Sequence, residues 1–209
     1  MNILGVFFSP RKTIIEAMNK PSLGLGVVLV LAPAFIALIG NLIYGFSVDL
    51  VNFILLLIAM LVVWLAFSLV LMLLGYVFGV REKKRQFAGV ASSFALVKVL
   101  SSAFIIVFVI FLPLIASGNL LELSKGLNRG EIGANEFSSK IAAELLNNPN
   151  AINFIPLIVF VVIALALFFL SLYLYYVIVR EFTGFSGGKA FIIWLILMAL
   201  MLFFSPTLI

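Results

Sequence analysis

The sequence contains no cysteine and no histidine, and only 10% of its 209 residues are charged. Without cysteine there is no disulfide framework and no thiol nucleophile, and the redox compartment is left unmarked. Without histidine the imidazole general base and the commonest zinc ligand are missing, so a serine-based triad would have no base. No N-x-S/T acceptor occurs, so nothing points to passage through a secretory lumen. A glycine-rich phosphate loop and a G-x-S-x-G nucleophile elbow are also absent. No catalytic residue, metal site or cofactor is therefore expected, and the chain does not read as an enzyme.

Apolar residues dominate instead, at 65% of the chain, with a mean hydropathy of +1.34. Soluble domains are about half apolar and a quarter charged, which puts this chain in the membrane class. A net charge of +5 would suggest nucleic acid in a soluble protein. Here the cations fall between apolar runs, so a nucleic-acid partner is not expected.

Spanning the hydrocarbon takes about 20 apolar residues. Five segments qualify, at about 23–45, 50–78, 92–116, 152–178 and 190–208. The expected fold is an all-α membrane protein with five transmembrane helices. Residues 1–22 form a cytoplasmic amphipathic segment and 23–209 a single transmembrane domain, with Pro33 expected to kink the first span. The first twenty residues do not read as a cleaved signal, because a long apolar run without an A-x-A site follows them.

Positive charge fixes the expected orientation. Arg11, Lys12, Lys20, Arg81, Lys83, Lys84, Arg85, Arg180 and Lys189 all fall on one side. The other side has Lys125, Arg129 and Lys140 in the loop 117–150, outnumbered by Glu122, Glu131, Glu136 and Glu144. The N-terminus is thus expected in the cytoplasm and the C-terminus outside. Residues 7–20 read as an amphipathic helix with Ser9 at the N-cap and Pro10 in first position. Phe7, Ile14, Ile15 and Met18 are expected to face lipid, with the cations in water or against anionic headgroups. In the external loop, residues 135–146 carry Phe137, Ile141 and Leu145 at helical spacing beside a ladder of Glu136, Lys140 and Glu144. Asn147-Asn148-Pro149 ends that helix.

Two G-x-x-x-G patterns, Gly75 to Gly79 and Gly184 to Gly188, suit either close helix packing or turns. Small residues from Gly89 through Ser92, Ser93 and Ala95 to Ser101 and Ser102 make the third span the expected centre of the bundle. Lys98 interrupts this span. Two turns from its expected start, it can snorkel to the interface or pair with Glu82 or Glu181. The competing reading makes Lys98, Ser92, Ser93, Ser101 and Ser102 the lining of a polar path for a channel, transporter or lipid scramblase. No carboxylate stands at mid-membrane to couple such transport.

Three stretches carry a resemblance: FFSPRKTIIEAMNKP (7–21), LLGYVFGVREKKRQFAGVASSFALVKVL (73–100) and REFTGFSGGKAFIIW (180–194). In this order and spacing they resemble the Yip (Ypt-interacting protein) domain family of five-span proteins with a cytoplasmic N-terminus. The resemblance implies a non-enzymatic membrane scaffold or trafficking-type adaptor. Eukaryotic members associate with Rab-type GTPases and with each other. No long polar region precedes the first span here, so the chain resembles a compact prokaryotic member of the cell membrane, and a GTPase is the less expected partner. Expected partners are anionic lipid headgroups at the cytoplasmic basic face, homo- or hetero-oligomers, and a soluble cytoplasmic protein.

Overall fold

The computed structural model describes residues 3–80, 86–185 and 187–204, with side chains as far as residue 200. Within these residues the chain is helical, and one isolated bridge pairs Ala116 with Ile152. The helices are α1 (Gly5–Phe8), α2 (Pro10–Asn19), α3 (Leu23–Tyr44), α4 (Leu50–Val77), α5 (Phe87–Ile115), α6 (Gly118–Asn128), α7 (Ala134–Asn147), α8 (Phe154–Thr183) and α9 (Gly187–Phe204). Four of them, α3, α4, α5 and α8, are long and apolar enough to cross a membrane. Over Gly187–Leu200, α9 is a shorter apolar helix.

Local chemistry explains the boundaries. Ser22 caps α3 by accepting from the Leu25 amide, and Asp49 caps α4 by accepting from Val51 and Asn52. Gly79 (φ 80°) and Gly184 (φ 68°) take left-handed conformations just past the ends of α4 and α8. These two glycines are turn residues, whereas Gly75 serves packing. A Cβ on Gly75 would lie 2.5 Å from the Phe182 ring, while one on Gly188 would meet open space.

α5 is the centre of the bundle, in contact with α1, α2, α3, α4 and α8. Small side chains make this possible, because in a membrane helices associate by close packing and hydrogen bonding. A Cβ on Gly89 would come within 2.7 Å of the Met18 carbonyl oxygen, so glycine is what lets the end of α2 reach α5. Trp64 of α4 lies against Gly26 of α3 and donates its indole N–H to the Ala91 carbonyl of α5 at 2.7 Å. The Ser22 amide donates to the Ser92 hydroxyl at 3.1 Å, tying the start of α3 to α5.

Several expectations shift. α5 begins at Phe87 rather than near residue 92, and α8 continues to Thr183 rather than 178. Both extensions are packed against protein, so they need no lipid-facing hydrophobicity to be helical. The N-terminal segment is two helices, broken at Ser9 (φ −147°, ψ 60°). The Ser9 side chain makes no cap; its carbonyl instead accepts from the Thr13 amide and hydroxyl, each at 3.1 Å. Ile14 does not face lipid: with Thr13 and Ala17 it is buried where α2 packs on α5 and α8. The loop between α5 and α8 holds α6 in addition to the expected α7, which packs on α6 and has no fully buried residue.

Candidate functional site

The two ends of the bundle differ in chemistry. At the α2 end, Arg11, Lys12, Lys20, Arg180 and Lys189 are all exposed. Arg81, Lys83, Lys84 and Arg85, expected to complete this basic face, lie outside the described residues. The Arg11 Nε donates to Glu181 Oε1 at 2.8 Å and clips α2 to the end of α8. Between these helices is an open groove of about 420 Å³, lined by Ser9, Pro10, Arg11, Lys12, Ile15 and Tyr173. Cations above an apolar floor suit a phospholipid headgroup with its chains against the helix. The Lys189 ammonium sits 5.9 Å from the centre of the Phe185 ring.

The longer α5 alters the position of Lys98 within its helix. It stands eleven residues beyond Phe87, about 16 Å along the axis. That is three turns from the helix start, the first of them packed on α2. Of the two expected acidic partners, Glu181 is taken by Arg11, and Glu82 lies outside the described residues. Lys98 is half-buried and makes no hydrogen bond or ion pair among the described residues.

The serines divide into two pairs. Ser92 and Ser93 are fully buried; Ser92 accepts from the Ser22 amide, and Ser93 donates to the Gly89 carbonyl at 2.8 Å. At 100° per residue they lie about 120° and 140° around the helix from Lys98, so they line no path with it. Ser101 and Ser102 share the Lys98 face, one turn on. The Ser102 hydroxyl is buried with no hydrogen-bond partner among the described residues, as is the Trp194 indole N–H.

Two cavities mark the α6 end. One of about 330 Å³ lies between α3, α5 and α6, where the Tyr44 hydroxyl donates to the Val109 carbonyl. The other, about 610 Å³, is an open groove between α6 and α7 lined in part by Glu122, Glu131, Lys140 and Glu144. Its carboxylates are already engaged. Lys125 donates to Glu122 at 2.6 Å, holding that carboxyl below the usual carboxylate range, and Lys140 pairs with Glu136 at 2.7 Å. Glu144 accepts from Asn119 and Asn148 instead of extending the charge ladder.

Sequence reasoning missed the Arg11–Glu181 clip and the Trp64–Ala91 bond. Their only trace is a Trp amid aliphatic residues and one acid at the end of a span. No protein-family model, no curated protein and no solved structure matches this chain.

Proposed function

We propose that the chain is a non-enzymatic multi-pass membrane protein of the Yip type. It acts as a scaffold or trafficking-type adaptor of the prokaryotic cell membrane, through the face at its α2 end and through oligomerisation. In this reading the N-terminus is cytoplasmic, α9 is the fifth span, and the basic face meets anionic headgroups or a soluble partner. The observation that supports it most is α2 itself. Its apolar side is built into the core while Arg11, Lys12 and Lys20 remain exposed beside Arg180 and Lys189. The helix is thus a fixed part of the bundle that presents charge at one level.

Each cation near an anionic surface contributes about 1 kcal/mol, so the face works collectively. The test replaces Arg81, Lys83, Lys84 and Arg85 with Gln in protein held in neutral nanodiscs, and measures capture of vesicles containing phosphatidylglycerol. A loss of at least tenfold is expected, with no change towards neutral vesicles. Unchanged capture with topology preserved would remove lipid recognition from the proposal.

A further inference from the structure

The three cavities differ in charge. The groove at the α2 end carries Arg11 and Lys12, and the groove between α6 and α7 carries Glu122, Glu131, Lys140 and Glu144. Among the described residues, the cavity of about 330 Å³ between α3, α5 and α6 has no charged side chain in its lining. Its polarity is graded instead. Asn41 and Tyr44 of α3, with Ser124 and Asn128 of α6, form the polar part. Ala37 and Ile105, about two turns back along α3 and α5 from Tyr44 and Leu112, belong to the apolar part.

Two of the four polar side chains have already spent their hydrogens. The Tyr44 hydroxyl donates to the Val109 carbonyl, and the Ser124 hydroxyl donates to the Leu120 carbonyl at 2.9 Å. Asn128 is held by Ser47, whose amide and hydroxyl each donate to its Oδ1 at 2.7 Å. A backbone amide can only donate, so this bond fixes the oxygen of Asn128 and leaves its Nδ2 unpartnered among the described residues. The Asn41 side chain makes no hydrogen bond among the described residues either. The walls are set in advance, since Gly40 lies against Val109 and the Arg129 tie to the Gly45 carbonyl holds α6 in place. Two free carboxamide donors beside an apolar wall, with no ion among them, suit an uncharged acceptor joined to a hydrocarbon chain.

We infer that this cavity holds the glycerol-ester region of a diacyl membrane lipid. The ester carbonyls accept from the Asn41 and Asn128 amides, and one acyl chain runs towards Ala37 and Ile105. The place fits the ligand. Both α3 and α5 are long and apolar enough to cross a membrane, and the cavity lies at the end of α3, where the chain turns into α4. Such a turn between two spans is where hydrocarbon gives way to the polar layer. Ligand sites run from about 300 to 1,000 Å³, so a cavity this small takes the ester region and part of a chain. An uncharged lining makes no demand on the headgroup. The inference rests on the spanning helices alone and not on the basic face, where charge governs, so the two can fail separately.

The test uses the full chain in nanodiscs of ether-linked phosphatidylcholine. Trace phosphatidylcholine probes carry a mid-chain diazirine and are joined through either ester or ether bonds, and crosslinks are mapped by mass spectrometry. Labelling around Ala37 and Ile105 is expected to be at least threefold greater with the ester probe. Phe168 and Phe169, exposed on α8, should be labelled equally by both. Asn41→Leu removes one donor without breaking a bond, and Asn128→Asp removes the other while keeping the oxygen that Ser47 needs. Each should bring the ester probe down towards the level of the ether probe, and a phosphatidylglycerol ester probe should label as its phosphatidylcholine counterpart does. Equal labelling by ester and ether probes in the natural chain overturns the proposal, and that comparison needs no variant to fold. An ester preference that survives intact in both variants also overturns it. So does a preference for phosphatidylglycerol at this cavity, because headgroup charge would then be what is recognised.

Discussion

The half of the bundle at the α2 end and the half at the α6 end are built from equally apolar helices, yet only the first is closed. Val6, Ile14, Leu71, Val90, Leu96, Leu174 and Ile178 are all fully enclosed at the α2 end. At the α6 end, Phe104, Phe108 and Phe111 meet Phe160 ring to ring, but large side chains such as Ile110, Ile158 and Phe168 stay exposed. Lipid is as apolar as leucine, so hydrophobicity alone does not draw spanning helices together. Small residues and cross-helix hydrogen bonds occur in both halves, since Gly40 of α3 lies against Val109 and Tyr44 donates to the Val109 carbonyl. What separates the halves is that at the α6 end they join only α3 to α5, while α4 and α8 stand open. Gly26, Gly75, Gly89 and Trp64 lie in the closed half. The α6 end is instead held by polar ties at its rim: the Ser47 amide to Asn128 at 2.7 Å, Arg129 to the Gly45 carbonyl at 2.9 Å, and the Asn153 amide to the Ile115 carbonyl at 2.8 Å.

This contrast can be broken most severely at Gly89. A Gly89→Ala substitution places its methyl against the Met18 backbone carbonyl, which cannot swing aside as a side chain would. A loss of about 2–3 kcal/mol is expected, as for overpacked cores, with α2 becoming sensitive to protease. Gly24→Ala, where a Cβ meets open space, is the matched control and should leave thermal unfolding in detergent unchanged. Equal effects at the two positions would refute close approach as the cause of closure.

A smaller loss, about 1 kcal/mol, is expected for Trp64→Phe. This keeps a ring near Gly26 but removes the donor to Ala91, and hydrogen bonds between spanning helices have modest net strength. The least effect belongs to the rim at the α6 end. Glu122 is depressed mainly by its hydrogen bond from Lys125, with the Lys125 charge second and Arg129 also contributing. A depressed carboxyl favours the folded state above its unfolded value, and the contribution fades as pH falls through the folded one. Because Glu122 is fully exposed, the effect is expected in its own titration and not in unfolding. By NMR, Lys125→Gln should move the Glu122 midpoint upward with the melting temperature unchanged. A midpoint that stays put would remove Lys125 as the cause.

The central place of α5 was legible in its run of Gly, Ala and Ser, because small residues at helical spacing have a direct packing meaning in a membrane. The start of α5 was not, since Phe87 and Gly89 follow a charged run and resemble a loop until Met18 is placed against them. That shift lengthens α5 at the end that packs on α2 and leaves Lys98 at the same place in the apolar run. Likewise Ile14 belongs to an amphipathic pattern that suits lipid and protein equally, and only the docking of α2 decides between them. α6 was missed because Gly126 and the short apolar repeat of Leu120, Leu121 and Leu123 give a weak periodic signal. The division of Ser92 and Ser93 from Ser101 and Ser102 follows from helical angles, but which face carries neighbours depends on the other helices.

The order of the elements along the chain gives the position of α5 a further meaning. A chain made from its N-terminus delivers α3 and α4 to the bilayer before their common packing surface has been synthesised. Until residues 87–97 emerge, Gly26 and Trp64 have no Ala91 or Ala95 to close upon, and α2 has no Gly89 to approach. Assembly of the closed half therefore waits for the third span. The Arg129 tie across the α3–α4 turn comes later still, once α6 has been made. The keystone of this bundle is laid after its first two walls.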